Sequence, residues 1–173
     1  KSFVSMLAPI AEAGEVGQAP LEDSNIAGIG SDQDRDLRRA AAKTEKAFKN
    51  AGKKVGIEVW RVENYRTKND TPDFGVRRWP KEEYGNFYSG DSYIVLNTYH
   101  PVDIKGQKSK ALAWDLHFWL GSESTQDEIG VAAYKSVELD ALLNDLSVHH
   151  RETQFHESKL FMSYFKELKY LDG

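Results

Sequence analysis

Carboxylates placed at turns and helix ends are the side chains of this chain with the clearest chemistry. Asp91 follows Gly90 in a turn after Phe87-Tyr88, Asp127 and Glu128 open a helical stretch, and Asp140 stands near its end. Ca2+ takes carboxylates and backbone carbonyls in an irregular oxygen shell, so acids scattered over such places can build a site without a contiguous loop motif. Asp140 falls at the negative end of a helix dipole, beside carbonyls without intrahelical partners, a location that disfavours an anion and suits a bound cation. A plainer account competes. Thr125-Gln126-Asp127-Glu128 is also a capping box and Asp140 can simply face water, so spacing alone favours capping and solvation over calcium.

Histidine is the second chemical signal, with His117 on one strand, His149 and His150 on another, and His100 and His156 near connections. Imidazoles that converge can bind zinc or carry protons, which would suit a small metal-dependent hydrolase. Adjacent strand residues point to opposite faces, however, so His149 and His150 are poorly placed to chelate one metal. The sequence holds no nucleotide fingerprint, nucleophile elbow or paired-histidine metalloprotease motif, and an enzyme has little to stand on. The third signal is Lys166, Lys169 and Tyr170 near the end, a set able to meet a phosphoinositide headgroup. Glu167 and Asp172 dilute it, which makes a solvated surface the simpler reading.

These groups need elements to hold them. The stretch from Ser124 to Leu143 carries apolar residues on two opposite helical faces: Ile129, Ala132, Ser136, Leu139 and Leu143 on one, and Val131, Tyr134 and Ala141, flanked by Asp127 and Glu138, on the other. One face belongs to the domain's own core. The other calls for a further layer or for a partner's cleft. Strands are expected from Val55, at 91–99, at 111–120 and near 147–154, with a short edge strand around 74–78. Runs that are apolar on both sides require helices on both faces of the sheet. The long helix covers one, and a short helix around 157–165 is expected to cover the other. The expected organisation is a flexible arm over 1–30, a solvated leader helix over 31–52 packed lightly on the domain, and one α/β (α+β) domain over 53–173, with about five strands between one long and one short helix.

Composition narrows the partners. The 173 residues include 23 Lys+Arg and 27 Asp+Glu, a net charge of -4 with no overall basic surface of the kind nucleic acid prefers. The sequence has no cysteine, so it forms neither disulfides nor thiolate zinc sites, which leans towards a reducing, cytoplasmic setting. The opening SFVSMLAPI imitates a secretory leader, but its apolar stretch is short and contains Pro9. No stretch has the apolar length of a transmembrane segment.

In series, VWRVENY at 59–65, YGNFYSGDSYIVL at 84–96, WDLHFWLGSESTQDEIGVAAYKSVELD at 114–140, HHRETQFHES at 149–158 and YFKELKY at 164–170 resemble the first repeat domain of the gelsolin, severin and fragmin family. The preceding NIAGIGSDQDRD resembles the leader of its three-domain members, severin and fragmin. The resemblance implies a cytoplasmic, calcium-dependent actin-binding domain of a filament severing and capping protein. It would bind the actin monomer and the filament barbed end, its long helix entering the apolar cleft between two actin subdomains. Tyr134 takes the wedge position, with Val131, Glu138 and Ala141 beside it and Asp127 near the entry. Two calcium sites are implied: one within the domain at the Gly90 carbonyl, Asp91 and Glu128, and one at the actin interface at Asp140 with the carbonyls of Asp145 and Ser147. Phosphoinositide binding is implied weakly, at Lys166 and Lys169.

Overall fold

Apolar side chains on both sides of a strand demand cover on both sides, and the computed structural model, which describes residues 32–66 and 72–173, meets that demand with one sheet between two helical layers. The sheet comprises β1 (Gly56–Arg66), β2 (Pro72–Arg78), β4 (Ser92–Tyr99), β5 (Ala113–Leu120) and β6 (Val148–Thr153), in the order β2-β1-β4-β5-β6. All neighbours are antiparallel except β5 and β6, which run parallel with Leu116 opposite His149. Two further strands, β3 (Asn86–Tyr88) and β7 (Lys169–Leu171), form a separate parallel ladder.

A parallel pair cannot be joined by a tight turn, and the crossover from β5 to β6 is the long helix α2 (Gln126–Leu142). Its start is fixed by the expected capping box: Thr125 Oγ1 accepts the Glu128 N–H at 3.3 Å, and Glu128 Oε2 accepts the Thr125 N–H at 2.8 Å. Its end is set by Asn144 and Asp145, both left-handed at φ 62° and 56°, a conformation that Asn and Asp tolerate better than most residues. Ala132, Leu139 and Leu143 of this segment pack with Trp60, Val62, Ile94, Leu96 and Leu116. The opposite face of the sheet presents Val59, Tyr93, Val95 and Trp119 to Phe87 and to Phe161 of the short helix α3 (Lys159–Met162). Each such large side chain contributes about 1.5–3 kcal/mol by leaving water.

The leader is helical over a shorter stretch than 31–52. Helix α1 covers Asp32–Thr44, after which a 3-10 turn at Lys46–Phe48 inserts Phe48 into the core against Trp60. Trp60 Nε1 donates to the Ala47 carbonyl at 2.7 Å, and Trp114 Nε1 to the Gly52 carbonyl at 2.9 Å. Helix α1 itself is largely exposed, with only Ala42 buried, and it is the residues after it, Ala47, Phe48 and Gly52, that are built into the domain. Helix α1 lies antiparallel along α2, with Arg35 beside Asp145, Arg39 beside Ala141 and Glu45 beside Lys135. Residues 1–31, including the expected arm, and residues 67–71 lie outside the described residues.

Candidate functional site

The outer face of α2 is divided. Tyr134 is 55% exposed and Asp127 is exposed, while Val131 is half-buried against the core. Glu138 and Ala141, expected beside Tyr134 on an open ridge, are instead 2% and 1% exposed. The cause is α1 together with the residues that follow it, which sequence periodicity gave no reason to place there. Lys135 Nζ contacts Glu138 Oε2 at 2.8 Å and Glu45 Oε2 at 3.4 Å, and Arg39 Nε donates to the Ala141 carbonyl at 3.1 Å. Burial works to lower the pKa of the Lys135 ammonium, but Glu138 and Glu45 outweigh it and the net shift is upward.

At the N-terminal end of α2, the residues Gly90, Asp91 and Glu128 are brought together. Gly121 makes this possible: its N–H donates to the Asp91 carbonyl at 3.0 Å, and a Cβ there would stand 2.2 Å from the Ser89 carbonyl oxygen. Asp91 and Glu128 are both buried. Burial is the largest influence on Asp91 and pushes its carboxyl up, Arg61 pulls it down, and nearby Glu128 adds to the upward push; the net is upward. Arg61 donates through Nε to Asp91 Oδ2 at 2.8 Å and lies over the Tyr88 ring at 4.4 Å. The Gly90 N–H donates to the Gly173 carbonyl at 2.7 Å. Asp91 is met by Arg61 and Glu128 by the Thr125 cap, so a divalent cation drawing on these oxygens would have to displace those bonds.

Asp140, Asp145 and Ser147 share one loop at the other end of the helix. Asp140 Oδ1 accepts the Ser147 N–H at 3.1 Å and its hydroxyl at 2.5 Å, while Oδ2 lies 3.0 Å from His149 Nε2. Burial would raise this carboxyl, but the bonds from His149 and Ser147 prevail and hold it below the ordinary aspartate value. The group is an anion at neutral pH, close to the last-turn carbonyls of α2, and it suits a hard cation. Among the described residues no group of three or more His, Asp and Glu side chains is gathered as a metal cluster, so either site would draw on backbone oxygens.

The remaining signals separate. Lys169 pairs with Glu167 at 3.1 Å and Lys166 is exposed, so the local acid offsets part of the positive charge. His149 turns to Asp140 and His150 to Asp115, with no shared ligand position between them. Sequence reading missed a buried network: His117 bridges Glu152 (2.9 Å) and the Tyr164 hydroxyl (3.1 Å), and its ring stacks on His150 at 4.3 Å. The signal for it was present. His117 and Glu152 lie on neighbouring parallel strands, and a buried histidine needs partners for both ring nitrogens.

A long capped helix is thus seated by one face on a mixed sheet, holding an aromatic side chain outward at its middle and carboxylates at both ends. A family model described as the gelsolin repeat matches residues 80–162. Gelsolin-like protein 1 of Lumbricus terrestris is 49% identical over 88% of this chain and 38% of its own length. Gelsolin of Drosophila melanogaster is 41% identical over 99% of this chain and 20% of its own length, and severin of Echinococcus granulosus is 40% identical over 85% and 36%. The chain belongs to the gelsolin family. It spans well under half the length of these relatives. Among the described residues, no helix is long and apolar enough to cross a membrane.

Proposed function

We propose that this is the first repeat of a cytoplasmic severing and capping protein and that it binds actin, as monomer and at the filament barbed end, through the outer face of α2. The observation that carries the reading is Tyr134, 55% exposed at the middle of the long helix whose other face packs on the sheet. An aromatic anchor entering an apolar cleft, ringed by contacts that exclude water, is the usual centre of a tight interface. Asp127 lies one side of it and Val131 between; Glu138 and Ala141 follow towards the C-terminal end.

Asp140 with the carbonyls of Asp145 and Ser147 would hold an interfacial Ca2+, and the Gly90 carbonyl, Asp91 and Glu128 an internal one. When bound, the interfacial ion supplies positive charge between acids that would repel across the contact. Asp140 accepts two bonds from Ser147 and so keeps its carboxylate directed into the loop. The test is calorimetric titration with monomeric actin in calcium and in chelator. Wild-type chain is expected to bind more tightly in calcium, and Tyr134→Asp is expected to lose binding while melting at an unchanged temperature. Undiminished binding by the variant rejects the wedge.

A further inference from the structure

We infer that α1 is a built-in competitor for the outer face of α2, docked over Glu138, Ala141 and the loop at Asp145, and that it must lift away before a partner can occupy the whole face. The inference rests on the actin reading of that face. It adds an intramolecular occupant whose position is set by Arg35 on Asp145 at 3.0 Å, Arg39 on the Ala141 carbonyl at 3.1 Å, and Glu45 on Lys135 at 3.4 Å. These contacts fall on the C-terminal half of α2 and on the same loop that carries Asp140 and Ser147.

The contact is built to be released. Of the residues of α1, only Ala42 is buried, and Leu37 is 65% exposed. Lifting α1 therefore returns little apolar surface to water, in contrast to the opposite face of α2, where Ala132, Leu139 and Leu143 are in the core. Polar contacts at partly exposed side chains, such as Arg35 and Asp145 at 46% and 21%, contribute little because water replaces them readily. An open cleft of about 320 Å³ lies between α1 and the loop after α2, lined by Asp32, Arg35, Arg39 and Asn144. A pivot is present as well. The helix stops at Thr44, Glu45 is extended at φ -72° and ψ 105°, and Phe48 three residues on is anchored in the core. Rotation at Glu45 frees α1 and leaves the domain intact.

A partner that engages only Tyr134 and Asp127 would leave α1 in place. One that extends along α2 to Ala141 would have to displace Arg39. The experiment is hydrogen exchange on the full chain with and without monomeric actin, paired with actin titration of Arg35→Ala/Arg39→Ala in the full chain. Actin is expected to protect the amides of α2 and to abolish the protection of residues 36–44. The double variant, with its melting temperature checked, is expected to bind about threefold to tenfold more tightly, the range given by one or two released surface contacts. Actin binding with α1 still protected, or with equal affinity in the variant, overturns the competitor and leaves the actin reading standing. Failure of both proteins to bind actin, in calcium and in chelator alike, overturns the actin reading and the competitor with it.

Discussion

The two halves of the outer face of α2 share one helix, yet they differ in what covers them. Around Asp127 and Tyr134 the helix is open, with an aromatic ring more than half exposed, whereas around Glu138 and Ala141 it lies beneath α1 and the residues that follow. Tyr134 is one of several large side chains that the domain leaves in water, and its place at the middle of α2 distinguishes it. The buried Glu138, by contrast, has its charge met inside the molecule by Lys135. Periodicity assigned both halves to one ridge; burial shows that they answer to different constraints.

The comparison is sharpened first on the side of α2 that belongs to the core. Leu139→Ala removes a fully buried side chain and is expected to lower the unfolding free energy by about 2–5 kcal/mol in urea titration, setting the scale for a position that serves the fold alone. Lys135→Met tests the covered half: Glu138 would keep its burial and lose its nearest cation, and stability is expected to fall by about 1–3 kcal/mol at neutral pH. A loss no larger than that of an exposed lysine would break the distinction between the halves.

A smaller effect should come from pH. Burial is the largest influence on His117 and holds its imidazole below the usual value of 6.5, against the raising contact from Glu152 and with His150 pushing the same way as burial. The unfolded chain takes up a proton near pH 6.5 and the folded chain only at lower pH, so this contribution is complete above that value and is lost as pH falls below it. The melting temperature is expected to be level between about pH 7 and 8 and reduced at about pH 5.5. The smallest change is expected at the open half: Tyr134→Ser should alter stability by no more than about 0.5 kcal/mol while weakening actin binding by about thirtyfold or more. A large stability loss at Tyr134 would mean that its ring serves the fold.

Local rules read the fold well where they act alone. The capping box at Thr125, the two-sided strands β4 and β5, and the inner row of α2 follow from spacing, because hydrogen bonding and alternation are set within a few residues. The placement of α1 was not legible. Its alanines and charges suit a solvated helix, and what seats it on α2 is Phe48, beyond its own end, together with pairs such as Arg35 and Asp145 that are 110 positions apart. The same limit hid the His117 network, whose members reach from 115 to 164. Gly121 pressing on Ser89 likewise joins parts of the chain that no local pattern connects.

The parallel pairing of β5 and β6 makes α2 their only covalent link, through segments 121–125 and 143–147 at its two ends. Load placed on this helix therefore passes at one end into a strand in the interior of the sheet and at the other into the edge strand. Fraying of α2 would slacken the tether of β6 at the same moment, so the helix whose outer face is proposed to meet a partner is also the one whose integrity keeps the sheet's margin in register.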